Sequence, residues 1–205
     1  MMAPLNRFVV PTLAMVAVLS ACRAHTTSAS AAALYADAAQ HDPRGKPYII
    51  GVADVVHIGV WKDESLSTDA IVRPDGTITM PLVGELRAAG RTAAQLQKDA
   101  TDRLAAVAKD AVVTVSVTEI NSYRFTVAGN VEHPGLFTAR YYLTVSEALA
   151  LAGGPNRYAD TDQVVVVRPV NGSLLRIPIN YDDILSGRSP EQDIVILAGD
   201  SVRVP

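Results

Sequence analysis

The chain has 205 residues, a net charge of −3 and one cysteine. Its length suits one large or two small domains, and its 19% charged and 5% aromatic residues are an ordinary globular balance. Without a basic excess, the composition argues against nucleic acid as a partner. One cysteine excludes an intramolecular disulfide framework and a cysteine-based metal cluster.

The first residues have the layout of a secretory signal. Arg7 supplies a positive charge, and the apolar segment 8–19 that follows is too short to span a bilayer. The next residues end in Leu-Ser-Ala-Cys22, which resembles the bacterial lipobox, where small residues precede a cysteine that becomes lipidated. We therefore predict a lipoprotein signal peptide over residues 1–21 and lipidation of Cys22. The alternative is a plain secretory signal that leaves Cys22 as a free thiol.

Residues 22–45 are rich in Ala, Ser and Thr and poor in large apolar residues. We predict a flexible tether, because this segment contains little that folding could bury. The alanines of residues 29–40 allow a transient helix, which the turn signal at residues 42–45 would end.

The first folded unit is expected over residues 46–120. Residues 48–51 and 55–61 predict β segments, and His57 points away from the apolar side chains next to it. A histidine in such a strand is interpreted as a surface or hydrogen-bonded residue. Trp61, the only tryptophan, is expected in the core or at a subunit contact, with stacking on a sugar as the alternative.

The most compact signal of the chain is a turn at Pro74, Asp75 and Gly76. Proline presets its own φ, and glycine accepts a positive φ without steric cost. The alternation on either side predicts two short strands, over residues 71–72 and 77–80. We interpret these three turn residues as structural.

A helix is predicted to begin at Thr92, because its hydroxyl and the side chain of Gln95 fit a capping box. The apolar side chains that follow at helical spacing are expected to form one buried face, namely Leu96, Ala100, Leu104 and Val107. Alternating valines over residues 111–117 predict the last strand of this unit.

A second unit is expected over residues 121–205. Its helix is predicted to begin with another capping box, formed by Thr144 and Glu147, and to end at Gly153. Asn180 is expected to cap a short second helix. The predicted strands lie over residues 125–131, 163–168, 174–177, 194–197 and 202–204.

The sequence contains no G-x-S-x-G, H-E-x-x-H or P-loop pattern, so we expect no catalytic residue, metal or cofactor. Gly153 and Gly154 follow a helix, whereas phosphate-binding loops precede one, so both are interpreted as structural turn residues. Glu132 and His133 are neighbours in an extended segment and point apart, which argues against an acid–base pair. The four aspartates that suggest calcium lack the spacing of a calcium loop, namely Asp160, Asp162, Asp182 and Asp183.

The first unit resembles the bacterial polysaccharide export proteins, the Wza-like outer-membrane family. Residues 72–84 read V-R-P-D-G-T-I-T-M-P-L-V-G, which is similar to the family run V-x-P-D-G-x-I-x-x-P-L-x-G nearly position by position. The family pattern Y-x-[IL]-x-x-G-D-x-[LI] matches at Tyr48, Ile50 and Asp54, whereas Ala53 stands where the family has glycine. We expect that departure to reshape one turn and to leave the fold intact.

Residues 125–205 resemble the SLBB domain, a β-grasp fold named for soluble-ligand binding. They are similar to it in three patterns: V-x-G-x-V-x-x-P-G, T-V-x-E-A-L-x-x-A-G-G and G-D-x-V-x-V-P. The two resemblances together imply an α+β fold of two small β-rich domains, an export-type domain followed by an SLBB domain.

The resemblance implies a non-enzymatic outer-membrane lipoprotein that faces the periplasm. It also implies a ring of identical subunits through which a capsular polysaccharide or exopolysaccharide passes, and an inner-membrane polysaccharide co-polymerase as partner. Larger members continue into a membrane-spanning helix that we expect to be lacking here, so a separate outer-membrane β-barrel is expected to supply the pore. The alternatives are a periplasmic lipoprotein that binds a soluble glycan or peptide without forming a conduit, and a cell-wall hydrolase.

Cys22→Ser is expected to abolish lipidation, because it removes the sulfur that carries the lipid. The attached chains bury CH₂ groups worth about 0.8 kcal/mol each, so the variant also loses stable membrane attachment. Incorporation of labelled palmitate is the measurement, and Thr26→Ser, a change just beyond the lipobox, is the matched control that keeps the label. Labelled palmitate on mature Cys22→Ser protein would contradict the lipobox interpretation.

Overall fold

The computed structural model describes residues 27–108 and 111–205, so the predictions for the signal peptide and for Cys22 lie outside the described residues. Its helices and strands are α1 Thr27–Gln40, β1 Val55–Val60, β2 Thr68–Ile71, β3 Thr77–Met80, β4 Gly84–Arg87, α2 Ala93–Leu104, β5 Val113–Glu119, β6 Arg124–Gly129, β7 Gly135–Thr138, α3 Val145–Leu151, β8 Val164–Val170, β9 Ser173–Ile179, α4 Tyr181–Leu185 and β10 Ser201–Val204. They surround two separate hydrophobic cores. The predicted α+β class is confirmed.

The first domain consists of an antiparallel sheet in the order β2-β1-β5, a β3–β4 hairpin and α2. Both hydrogen bonds of the capping box predicted at Thr92 are present, and the buried face of α2 carries Leu96, Ala100 and Leu104. Val107 was predicted on that face, which is wrong. The helix ends at Leu104, and Val107 lies beyond it with 59% of its surface exposed.

The turn at residues 73–76 connects β2 of the sheet to β3 of the hairpin. The Gly76 N–H donates to the Arg73 carbonyl at 2.8 Å, and Gly76 has a φ of +81°. The Asp75 carboxylate accepts hydrogen bonds from the N–H and hydroxyl of Thr77, at 2.9 and 2.7 Å. The strands on either side do not form one hairpin, because β2 pairs with β1 and β3 pairs with β4.

Two predicted strands are wrong in their secondary structure. Residues 48–51 are not a strand, although Ile50 is buried and exchanges backbone hydrogen bonds of 2.9 Å with Gly90 and Arg91. Residues 194–197 make a single bridge, between Val195 and Thr144. In both places the neighbouring chain runs alongside for too few residues to form a ladder.

The second domain is a five-stranded sheet in the order β7-β6-β10-β8-β9, with β10 parallel to β6 and antiparallel to β8. Its helix α3 has the capping box predicted at Thr144, and it ends where Gly153 and Gly154 take φ values of +83° and +84°. The Gly154 N–H donates to the Leu149 carbonyl and the Gly153 N–H to the Ala150 carbonyl, so the last carbonyls of the helix are satisfied.

Helix α1 lies within the segment predicted to be a flexible tether. Ala38 is buried, and Leu34 and Tyr35 pack against the core of the second domain. The Tyr35 hydroxyl donates to the Pro178 carbonyl at 2.6 Å. The helix lies where the alanines allowed one, and its docking differs from the predicted flexible tether, since a few apolar contacts suffice to hold it. None of the described helices has the length and apolar content that crossing a membrane requires.

Gly76→Val is expected to destabilise the first domain by about 1–3 kcal/mol. The new side chain would sit at a φ of +81°, with its Cβ 3.0 Å from the Cβ of Ala89. Gly135→Val is the matched control, because an added Cβ there meets nothing within 4 Å and no positive φ is involved. Denaturant unfolding of both variants is the measurement, and equal losses of stability would show that the turn is not strained.

Candidate functional site

Buried charged side chains are rare in the described part of the chain, and their contacts indicate structural rather than catalytic roles. It is confined to three side chains, Asp54, Arg168 and Asp200. A buried charge is costly unless hydrogen bonds and ion pairs satisfy it. The partners of these three groups therefore reveal what each one does.

The Asp54 carboxylate joins the two domains. One oxygen, Oδ1, accepts hydrogen bonds from the backbone N–H groups of Asn121 and Ser122, at 2.9 and 2.8 Å. The other, Oδ2, accepts from the Gly51 N–H at 2.7 Å and from the Ser122 hydroxyl at 3.1 Å. Residues 121 and 122 connect β5 to β6, so one side chain of the first domain fixes the start of the second.

Tyr48 completes this cluster. Its hydroxyl donates to Asp54 Oδ2 at 2.7 Å and lies 3.0 Å from the Ser122 hydroxyl. Burial raises the pKa of Tyr48, and the adjacent Asp54 carboxylate raises it further. The phenol is therefore neutral and serves as a donor, and the cluster does not resemble an acid–base pair.

Each domain contains a turn of the same geometry that ends in a buried aspartate, at residues 51–54 and 197–200. Asp54 donates its N–H to the Gly51 carbonyl and accepts the Gly51 N–H on Oδ2, and Asp200 makes both bonds with Leu197. The preceding residue is left-handed each time, with φ +76° at Ala53 and +88° at Gly199. Ala53, which stands where the family pattern has glycine, thus adopts a left-handed conformation that costs a residue with a side chain about 1–2 kcal/mol.

Arg168 neutralises the aspartate of the second domain. Its guanidinium donates to the Asp200 carboxylate at 2.7 and 3.1 Å and to the Val195 carbonyl at 2.8 Å. The pair is 9% and 0% exposed. It fastens the segment before β10 to β8, so its role is to hold the sheet together.

The remaining sequence candidates do not come together in a site. The turn at residues 74–76 lies in the first domain, whereas Gly153 and Gly154 end α3 in the second. Glu132 and His133 bond through their backbone N–H groups to the loop that follows α3. Over residues 27–108 and 111–205, no three His, Cys, Asp or Glu side chains are grouped so that they could hold a metal ion.

Trp61 lies at the surface, with 70% of it exposed. A core position, one of the two expected for it, is therefore wrong, whereas a subunit contact and stacking on a sugar stay predictions. It lines a shallow cavity of about 240 Å³ at the end of the first sheet, together with Val112 and Thr114. His57 is hydrogen-bonded, as predicted, with its Nδ1 2.8 Å from the Asp69 carboxylate.

Sequence reasoning missed one surface, which we call the arginine face. It is the side of the second sheet that faces away from the core, and it surrounds an open cavity of about 480 Å³. Its members are Thr126, Ala128, Val165, Arg176, Ser201 and Arg203. The signal that could have found it is the composition of the strands, since β6 to β10 contain four arginines and no acidic residue.

Two family models match this chain in tandem. The model for polysaccharide biosynthesis/export proteins matches residues 42–118, and the SLBB domain model matches residues 124–178. The chain belongs to the Wza-like polysaccharide export family. Asp54 lies in the first matched segment, and the two backbone N–H groups that it binds, those of Asn121 and Ser122, lie between the two matched segments. Members of this family are components of polysaccharide transport rather than enzymes.

The names of three curated relatives also refer to the export, transport or production of a polysaccharide. The EPS I polysaccharide export outer membrane protein EpsA of Ralstonia solanacearum is 29% identical over 186 residues, which cover 78% of this chain and 48% of EpsA. The polysialic acid transport protein KpsD of Escherichia coli is 30% identical over 145 residues, 69% of this chain and 25% of KpsD. The exopolysaccharide production protein ExoF of Rhizobium meliloti is 29% identical over 141 residues, 63% of this chain and 33% of ExoF. The chain thus spans about half the length of EpsA and less of the other two.

Asp54→Asn is expected to destabilise the protein by about 3 kcal/mol. An asparagine has one acceptor oxygen, so its NH₂ group would face hydrogen-bond donors on one side of the cluster. Asp69→Asn is the matched control, because that exposed carboxylate has a single described partner, His57, and its loss should change stability by less than about 0.5 kcal/mol. Denaturant unfolding measures both, and equal effects would contradict the assigned role of Asp54.

Proposed function

We propose that this protein is an outer-membrane lipoprotein that forms the periplasmic part of a conduit for a capsular polysaccharide or exopolysaccharide. Lipidated Cys22 anchors it to the membrane. Copies of the chain form a ring, and an inner-membrane polysaccharide co-polymerase delivers the glycan to it. In this proposal the chain has no catalytic role.

The observation that carries the proposal is the tandem match of an export domain and an SLBB domain, over residues 42–118 and 124–178. The names of the relatives support export as the process, and the name of EpsA supports the outer membrane as the place. The lipobox-like residues before Cys22 support the anchor.

The structure supports assembly through two features. The Asp54 cluster joins the domains, so that neighbouring copies could meet a preformed surface. In addition, β7 and β2 lie at sheet edges, and such strands have backbone groups available to another chain. A head-to-tail contact that repeats by rotation closes into a ring.

Deletion of the gene is expected to move the polysaccharide from the medium to the periplasm, because synthesis continues while its exit is blocked. Quantification of secreted and periplasmic glycan in wild-type, deleted and complemented strains is the measurement. A deleted strain that secretes a normal amount of glycan would contradict an export role.

The mass of the lipidated protein in detergent separates the conduit from the alternative, a lipoprotein that binds a soluble glycan or peptide. A ring predicts one defined multimer at micromolar concentration. A monomer at that concentration favours the alternative.

A further inference from the structure

The strands of the second domain have an unusual charge composition for this chain. The whole protein contains 21 acidic and 18 basic residues, yet the five strands β6 to β10 contain no Asp or Glu. Of their four arginines, only Arg168 is buried, and its charge is matched by Asp200. The three others, Arg124, Arg176 and Arg203, are exposed.

The pairing of the strands places these exposed groups on one face. Val202 and Val204 are buried, so Ser201 and Arg203 point to the other side of the sheet. Across the sheet, Thr126 lies beside Ser201, and Ser201 and Arg176 both lie beside Val167. A second row contains Ala128, Arg203, Val165 and Pro178. Arg176 and Arg203 are thus two strands and one row apart, a Cα separation of about 12 Å.

The polar groups of the arginine face have no described protein partner. Neither Arg176 nor Arg203 takes part in an ion pair with any carboxylate of residues 27–108 and 111–205. Thr126 and Ser201 stand next to each other on β6 and β10, one row from Arg203 and separated from Arg176 by β8, with partly exposed side chains. The small side chains of Ala128 and Val165 keep the surface open, which leaves the cavity of about 480 Å³.

We propose that the arginine face binds a polysaccharide segment that carries carboxylate groups. Arg176 and Arg203 bind two carboxylates of one extended chain, because a guanidinium pairs with a carboxylate through parallel hydrogen bonds. Thr126 and Ser201 hydrogen-bond to hydroxyls of the sugar next to Arg203, and Val165, on the strand between the two arginines, contacts the C–H groups of a ring. This inference rests on the proposed export function and names the class of glycan.

The chemistry of the face favours a glycan over nucleic acid. Proteins that bind single strands stack bases on aromatic side chains. The aromatic residues of β6 and β7, Phe125 and Phe137, instead pack together with the core. Hydroxyl groups beside guanidinium groups match a polymer that offers both hydroxyls and carboxylates.

The test is the binding of oligogalacturonate to the full-length lipidated protein in detergent, measured by calorimetry. Methyl-esterified oligogalacturonate, which has the same rings without the charge, serves as the ligand control. We expect the charged form to bind and the esterified form to bind at least about tenfold more weakly. We also expect the affinity for the charged form to fall as salt is added.

Matched variants locate the site. Arg176→Gln with Arg203→Gln should weaken binding by about tenfold or more, since both charged contacts are lost. Arg188→Gln should leave it unchanged, because that exposed arginine pairs with Asp183 away from the arginine face. All three residues are exposed, so the variants should melt at the temperature of the wild type.

Several results would overturn the inference. These are equal binding of the charged and esterified ligands, no binding of either one, and equal binding of a single-stranded oligothymidylate. A change in oligomer mass in the double variant, without a loss of affinity, would show that the face contacts another copy instead. These results leave the export role intact, because that role is judged by glycan secretion in the deleted strain.

Discussion

One buried carboxylate ties the first domain to the connection that leads into the second. Asp54 lies just before β1 in the first domain, and both of its oxygens accept hydrogen bonds from residues 121 and 122, which connect β5 to β6. Such bonds to a charge are stronger than those between neutral groups, and at a site without exposure they are hard to exchange for water. Gly51 allows this approach, because a Cβ there would lie 2.3 Å from the Cβ of Ser122.

The second domain contains a turn of the same geometry, but its aspartate binds a different kind of partner. Asp200 sits before β10 as Asp54 sits before β1, each after a left-handed residue, and each binds the backbone three positions earlier. Asp200 then binds Arg168 within its own sheet, whereas Asp54 binds the next domain. A fixed central β10 also sets which side chains of the sheet face outwards, and these include Arg203 on the arginine face.

Local signals made part of this structure predictable. The capping boxes at Thr92 and Thr144 and the buried stripe of α2 depend on residues three or four positions apart, which the sequence displays directly. Contacts between distant residues were missed. Asp54 is 67 positions from Asn121, and the docking of α1 depends on a few side chains such as Tyr35, in a segment of tether-like composition. The sequence also located strands of the second domain, but it did not show which face of their sheet stays uncovered.

The most direct test of the account is hydrogen exchange at the amides of Gly51, Asn121 and Ser122. If Asp54 holds the two domains together, these three amides exchange only when the protein unfolds, at the rate of amides in the middle of β1. Exchange as fast as at the exposed Gly172 hairpin turn, while β1 stays protected, would show that the domains separate in solution and would contradict the account.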